Sequence, residues 1–125
     1  MKLFTKSQYE KLIENGRDQT SHKDHPPVVK LFMTCTDCTW LISELDPEDS
    51  DIAFGLCDLG MGFPELGTVF ISELENAQDI LRFLERDLSF EGTHQMSVYA
   101  NAAYEAGEIV TDETTLNNIA LKLKL

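Results

Sequence analysis

His22-Lys-Asp-His25 and Cys35-Thr-Asp-Cys38 each set two ligand-type side chains with two residues between them. Tetrahedral zinc takes Cys and His ligands, and a C-x-x-C turn at a hairpin tip is a common way to present two thiolates. Pro26-Pro27 and a whole strand lie between the pairs. The His pair must therefore fold back about 20 Å to meet the Cys pair, at ~3.3 Å per strand residue. Beside the zinc reading stand two others: free surface thiols with solvated histidines, and a redox-active dithiol. Glu44, Asp58 and Glu65 form a second group. Converging at one edge of a sheet, these carboxylates would serve as an acid/base pair or a divalent-metal site for a hydrolase; otherwise they are solvated strand ends, since paired carboxylates are not diagnostic without geometry.

Asp46, Glu48, Asp49 and Asp51 crowd one short segment. A calcium loop starting at Asp46 requires glycine sixth and glutamate twelfth, and the chain has Asp51 and Cys57 there. The segment is read as a solvated turn, and its carboxylates as candidates for contact with a basic partner. Gly60-Met-Gly62 resembles part of a phosphate-binding loop, but the third glycine is missing and no helix starts after it. A tight turn between strands accounts for the glycines. Cys57, flanked by apolar residues, reads as a buried small hydrophobe.

The elements that must position these groups follow from local patterns. Thr5 and Gln8 have capping-box spacing at the start of a helix over 5–15, with Gly16 suited to its C-terminal cap. Residues 17–27 are a polar linker. Residues 28–33, 39–45, 52–59 and 67–71 read as strands, with Trp40, Ile42 and Glu44 on one face of the second and Leu41, Ser43 and Leu45 on the other. Gly55 signals a bulge or a close backbone approach. Ser72 and Glu75 repeat the capping-box spacing, and Leu74, Ala77, Ile80, Leu81 and Leu84 recur at helical spacing, which predicts an amphipathic helix over 73–85. Leu88 to Phe90 reads as a short edge strand, 96–106 as a helix capped by Gly107, and about 112–125 as a last helix, although Leu-Lys-Leu-Lys-Leu alternates like a strand. Four consecutive strands with short links predict an α+β domain: an antiparallel four-stranded meander with an N-terminal helix and helices packed on one face. The uncovered face would then be available for a homodimer.

At 125 residues the chain has the size of a single domain, with a core over about 3–106. There is no ~20-residue apolar run and no signal-peptide pattern, so a cytoplasmic location without membrane insertion is expected. A formal net charge of −12 repels phosphate backbones and attracts basic surfaces. Direct nucleic-acid binding is not expected, and a basic protein surface is the expected partner.

Three runs carry a family likeness: Pro27-Val-Val-Lys-Leu-Phe32, Thr39-Trp-Leu-Ile-Ser-Glu-Leu-Asp-Pro-Glu-Asp49, and Ala53 through Gly67 with its Leu-Gly-Met-Gly-Phe-Pro centre, followed by Ser72-Glu-Leu-Glu75. With these the chain resembles the bacterial family called domain of unknown function 2958, over roughly residues 3 to 100. The resemblance implies a small cytoplasmic protein of the kind carried on plasmids, integrative conjugative elements and phages, and it brings no catalytic residues with it. The Cys35 to Cys38 turn departs from the family's pattern, in which a turn without cysteines is expected. The combined expectation is an acidic accessory protein of a mobile element that binds another protein and counters host defence through that partner's basic surface. The alternatives are a carboxylate- or metal-dependent hydrolase and a structural or regulatory subunit that dimerises.

Overall fold

The structure, a computed structural model, describes residues 3–34, 36–81 and 84–124, leaving aside the side chains of 77–81. The elements are α1 Lys6–Gly16, β1 Val29–Met33, β2 Thr39–Leu45, β3 Ile52–Asp58, β4 Glu65–Phe70, α2 Ile71–Leu81, β5 Leu84–Arg86, α3 Met96–Ala106 and α4 Glu113–Leu123. The capping box forms as its spacing predicts: Gln8 N–H donates to Thr5 Oγ1 at 3.1 Å, and Thr5 N–H donates to Gln8 Oε1 at 2.8 Å. All strand pairs are antiparallel, in the spatial order β4-β3-β2-β1-β5. The chain is thus the expected α+β domain, with four consecutive strands in a meander.

Alternation along β2 divides the core. Trp40 and Ile42 pack with Leu12 of α1 and with Ile71 and Leu74 of α2 on one face of the sheet. Leu41, beside Leu56 of β3, packs on the other face with Tyr99, Leu116 and Ile119 of α3 and α4. Each fully buried leucine or isoleucine contributes roughly 1.5–3 kcal/mol. The helices therefore lie on both faces rather than one, and the face expected to be open for a dimer is covered by α3 and α4.

Residues 84 and 85, expected at the end of the helix, instead join Arg86 in β5, where Leu31, Phe32 and Met33 pair with Arg86, Glu85 and Leu84. Pairing gives β1 a second neighbour and buries Leu84, a gain that outweighs local helical periodicity. The strand expected at Leu88 to Phe90 is a turn, held by Ser89 N–H and Oγ, both donating to Asp87 Oδ1 at 3.0 and 2.9 Å.

Gly16 takes a different role from that expected, and Gly55 takes one of the two expected of it. Gly16 closes α1 without a left-handed cap; a Cβ there would lie 1.8 Å from the Leu45 carbonyl oxygen, so it is the close approach of α1 to β2 that requires glycine. Gly55 marks a close approach as well, since its Cβ would lie 2.0 Å from the Leu41 carbonyl oxygen. The sheet's irregularity falls on β2, between Ile42 and Glu44. The Ser43 carbonyl there accepts from buried Asn15 Nδ2 at 2.9 Å, tying α1 to the sheet. No helix among the described residues is long and apolar enough to cross a membrane.

Candidate functional site

The β1–β2 turn, the β3–β4 turn and the α3–α4 connection meet at one end of the sheet and enclose a cleft of about 640 Å³. Gly60, Gly62 and Gly107 border it, with φ of 78°, 85° and 78°, values that favour glycine. The first two shape the β3–β4 turn, as the tight-turn reading of Gly60-Met-Gly62 expects. Gly107 is the left-handed cap of α3, its N–H donating to the Ala103 carbonyl at 2.7 Å.

Buried Asp58 holds two of the three segments together. Its Oδ1 accepts from Gly60 N–H at 2.9 Å and its Oδ2 from Ile109 N–H at 3.0 Å, so one carboxylate joins the β3–β4 turn to the α3–α4 connection. Cys38 adds a weaker link, its Sγ donating to the Leu59 carbonyl at 3.6 Å. Lys30 faces Asp87 across the cleft at 3.5 Å. Burial works to raise the Asp87 carboxyl, but hydrogen bonds from Ser89 and the Lys30 ammonium outweigh it and hold the group below its ordinary range. With Lys30 balanced by Asp87, the remaining charges of the lining are the carboxylates of Asp37, Asp58 and Glu108. The cleft therefore attracts cations and repels phosphates and other anions.

Outside this rim, Leu59, Met61 and Phe63 are 59%, 75% and 81% exposed. Glycines at 60 and 62 turn the backbone into the cleft while the alternate side chains stand in solvent. Three large apolar groups so exposed in one turn form an apolar cluster rather than scattered surface residues. Composition and charge do not reveal it, because it depends on which side of the turn the side chains take.

The carboxylates expected to converge do not. Glu44 pairs with Lys23 at 2.8 Å and sits opposite Phe54, about 13 Å along β3 from Asp58 at ~3.3 Å per residue. Glu65 lies opposite Cys57, on the other face from Asp58. Of the zinc candidates, His25 lies before β1, its Nε2 2.8 Å from Asp18 Oδ2 and its carbonyl accepting from Met96 N–H, while Cys38 lies beyond the far end of β1, next to Thr39. His22 is exposed, and Cys35 lies outside the described residues. Among the described residues, no three His, Cys, Asp or Glu side chains gather as a metal-ligand set. Cys57 is half-buried against the α1/α2 face, and burial raises its thiol pKa.

In the acidic loop, Asp46 Oδ1 accepts from Glu48 N–H at 2.9 Å and Asp49 Oδ1 from Asp51 N–H at 3.1 Å. Asp51 spends both oxygens on Ser72, accepting from its N–H at 2.7 Å and its Oγ at 3.0 Å. Asp46, Glu48 and Asp49 remain on the surface.

The model of one protein family, described as proteins of unknown function (DUF2958), matches residues 3–110. The chain belongs to this family. The DUF2958 span takes in every segment that borders the cleft, from Lys30 to Ile109, whereas α4 lies beyond it. No match was found among curated proteins or among solved structures.

Proposed function

We propose that this DUF2958 chain is a protein-binding module that docks on a basic protein surface through the Leu59–Phe63 turn and the carboxylate-bordered cleft beside it. The observation that supports the reading is the pairing of an apolar projection with an anionic recess on a chain of net charge −12. Apolar side chains in such a pair supply affinity, while the carboxylates steer a cationic partner and select against anionic ones. Asp46, Glu48 and Asp49 extend the negative field at the other end of the sheet. In an accessory protein of a mobile element, the same surface would occupy a basic site on a host defence protein, such as one built to grip phosphate backbones.

The test is affinity capture from host cells at low salt with the native chain, Phe63→Ala and the double variant Asp37→Asn, Glu108→Gln. The expected result is a basic protein retained by the native chain, released by salt, and retained several-fold less by both variants. Capture that is insensitive to salt, or equal for all three baits, sinks the reading.

A further inference from the structure

Among the described residues, β4 is an edge of the sheet, with β3 as its sole strand neighbour. Two hydrogen bonds show which way its backbone groups point. Ile71 N–H donates to the Asp51 carbonyl at 2.8 Å, toward β3, and the Ile52 carbonyl accepts from Asp46 N–H at 2.9 Å, toward β2. Alternation along the strands then turns Gly67 and Val69 toward β3, and Leu66 and Thr68 outward with N–H and C=O both presented. Natural sheets guard such an edge with lysine, proline, a bulge or a very short strand. β5, the opposite edge, has three residues. β4 has six, Glu-Leu-Gly-Thr-Val-Phe, with no lysine or proline and an unbroken register against β3. Leu66, Thr68 and Phe70 share one face, and Leu66 and Phe70 are 40% and 46% exposed.

We propose that β4 pairs antiparallel with β4 of a second copy about a two-fold axis through Thr68, joining two five-stranded sheets into one. In that register Thr68 faces Thr68 of the second copy, and Leu66 faces Phe70 on both sides of the axis. A register centred on Gly67 would instead set Leu66 against Thr68 and leave Phe70 without a partner. Cross-strand aromatic–aliphatic and threonine pairs stabilise sheets, and like charges placed opposite one another destabilise them. Residues 66–70 carry no charge, so the seam sets no like charges face to face on a chain whose net charge is −12. A six-residue edge buries less than the ~1,200 Å² of a stable interface, so the dimer is a concentration-dependent one. Long-range repulsion between the two acidic copies opposes it and is screened by salt. Dimerisation thus strengthens with salt, the opposite sign from docking on a basic partner, and the two readings stand or fall separately.

Sedimentation of the full chain, across concentrations and at low and high salt, tests this. The expected result is a monomer that becomes a dimer as either rises, with dimer lost in Thr68→Lys, whose fold is checked by circular dichroism, and kept in Phe63→Ala. A cysteine pair reads the register. Opposed residues of a hydrogen-bonded pair lie about 5.5 Å apart at Cα, within the about 4.4–6.8 Å that disulfides span. Under mild oxidation Thr68→Cys forms a linked dimer well above the level of the native chain, and Leu66→Cys does not. A monomer under all conditions, a dimer undiminished by Thr68→Lys, or equal linking by both cysteine variants would overturn the proposal.

Discussion

Asp18 shows how one residue's surroundings assign it a role that its spacing did not announce. Its Oδ1 accepts from Thr20 Oγ1 at 2.7 Å and Thr20 N–H at 2.9 Å, and its Oδ2 meets His25 Nε2 at 2.8 Å. The Thr20 bonds, with a smaller share from His25, lower its pKa from 3.8 to about 2. A carboxyl whose folded pKa is depressed contributes stability that is fully present above its unfolded value and is lost as pH falls through its folded one. The unfolding midpoints of the native chain and Asp18→Ala should therefore differ at neutral pH and converge as pH falls from about 4 toward 2, the window set by those values. In a carboxyl NMR titration, Thr20→Val should raise the Asp18 midpoint more than His25→Gln does. An unmoved midpoint in Thr20→Val would show that the Thr20 hydroxyl bond is not the leading cause. His25 stands in the sequence as a ligand candidate; in the fold it is the aspartate's neighbour.

At the scale of elements, α2 and α3 begin in the same way. Each has serine at its second position, giving both its N–H and its Oγ to the carboxylate of a distant aspartate: Ser72 to Asp51, and Ser97 to Asp24. In each, the first helical N–H goes to a backbone carbonyl of that same distant segment, Ile71 to Asp51 and Met96 to His25. The Ser72-to-Glu75 spacing predicts a local capping box, yet Ser72 lies inside the helix and donates. A sequence signal does exist for α3, since the residue before it, Gln95, is not of a type that favours N-capping, which leaves the first turn's donors to be met from elsewhere. Asp51→Ala and Asp24→Ala should each lower unfolding free energy by about 1–2 kcal/mol in denaturant titrations, the range for loss of an N-cap. A loss near zero at either site would show that water replaces that carboxylate. Asp112, by contrast, caps α4 locally, accepting from Thr115 N–H at 3.0 Å.

For the whole molecule, the governing quantity is 22 acidic against 10 basic residues. Net charge far from zero keeps a protein soluble and also strains the compact state by self-repulsion. Raising ionic strength from about 0.01 M to 0.15 M shortens the screening length from about 30 Å to about 8 Å. The thermal midpoint should rise over that interval, measured by circular dichroism melts in sodium chloride. A falling midpoint would mean that attractive pairs such as Lys23–Glu44 and Lys30–Asp87 outweigh the repulsion. Capture of a basic partner and association through β4 respond to the same variable in opposite directions, so one salt series separates stability, docking and self-association.

Local chemistry wrote several elements into the sequence directly. The Thr5/Gln8 box, the α3 limits at Met96 and Ala106, the Gly107 cap and the strand alternation about Trp40 and Leu41 depend on neighbours a few residues away, and they were legible for that reason. The family membership was legible too, from the runs ending at Phe32, Asp49 and Gly67. Tertiary structure decided the rest, wherever contacts far apart in the chain compete with local preference. Leu84 and Glu85 left a helical pattern for a strand because β1 offered hydrogen bonds and a buried place. Gly16 is required by the Leu45 carbonyl, and Asp58 is buried by Gly60 and Ile109, partners that sequence spacing does not connect. The cleft, the apolar side chains beside it and the open edge of β4 exist only where distant turns and strands come together.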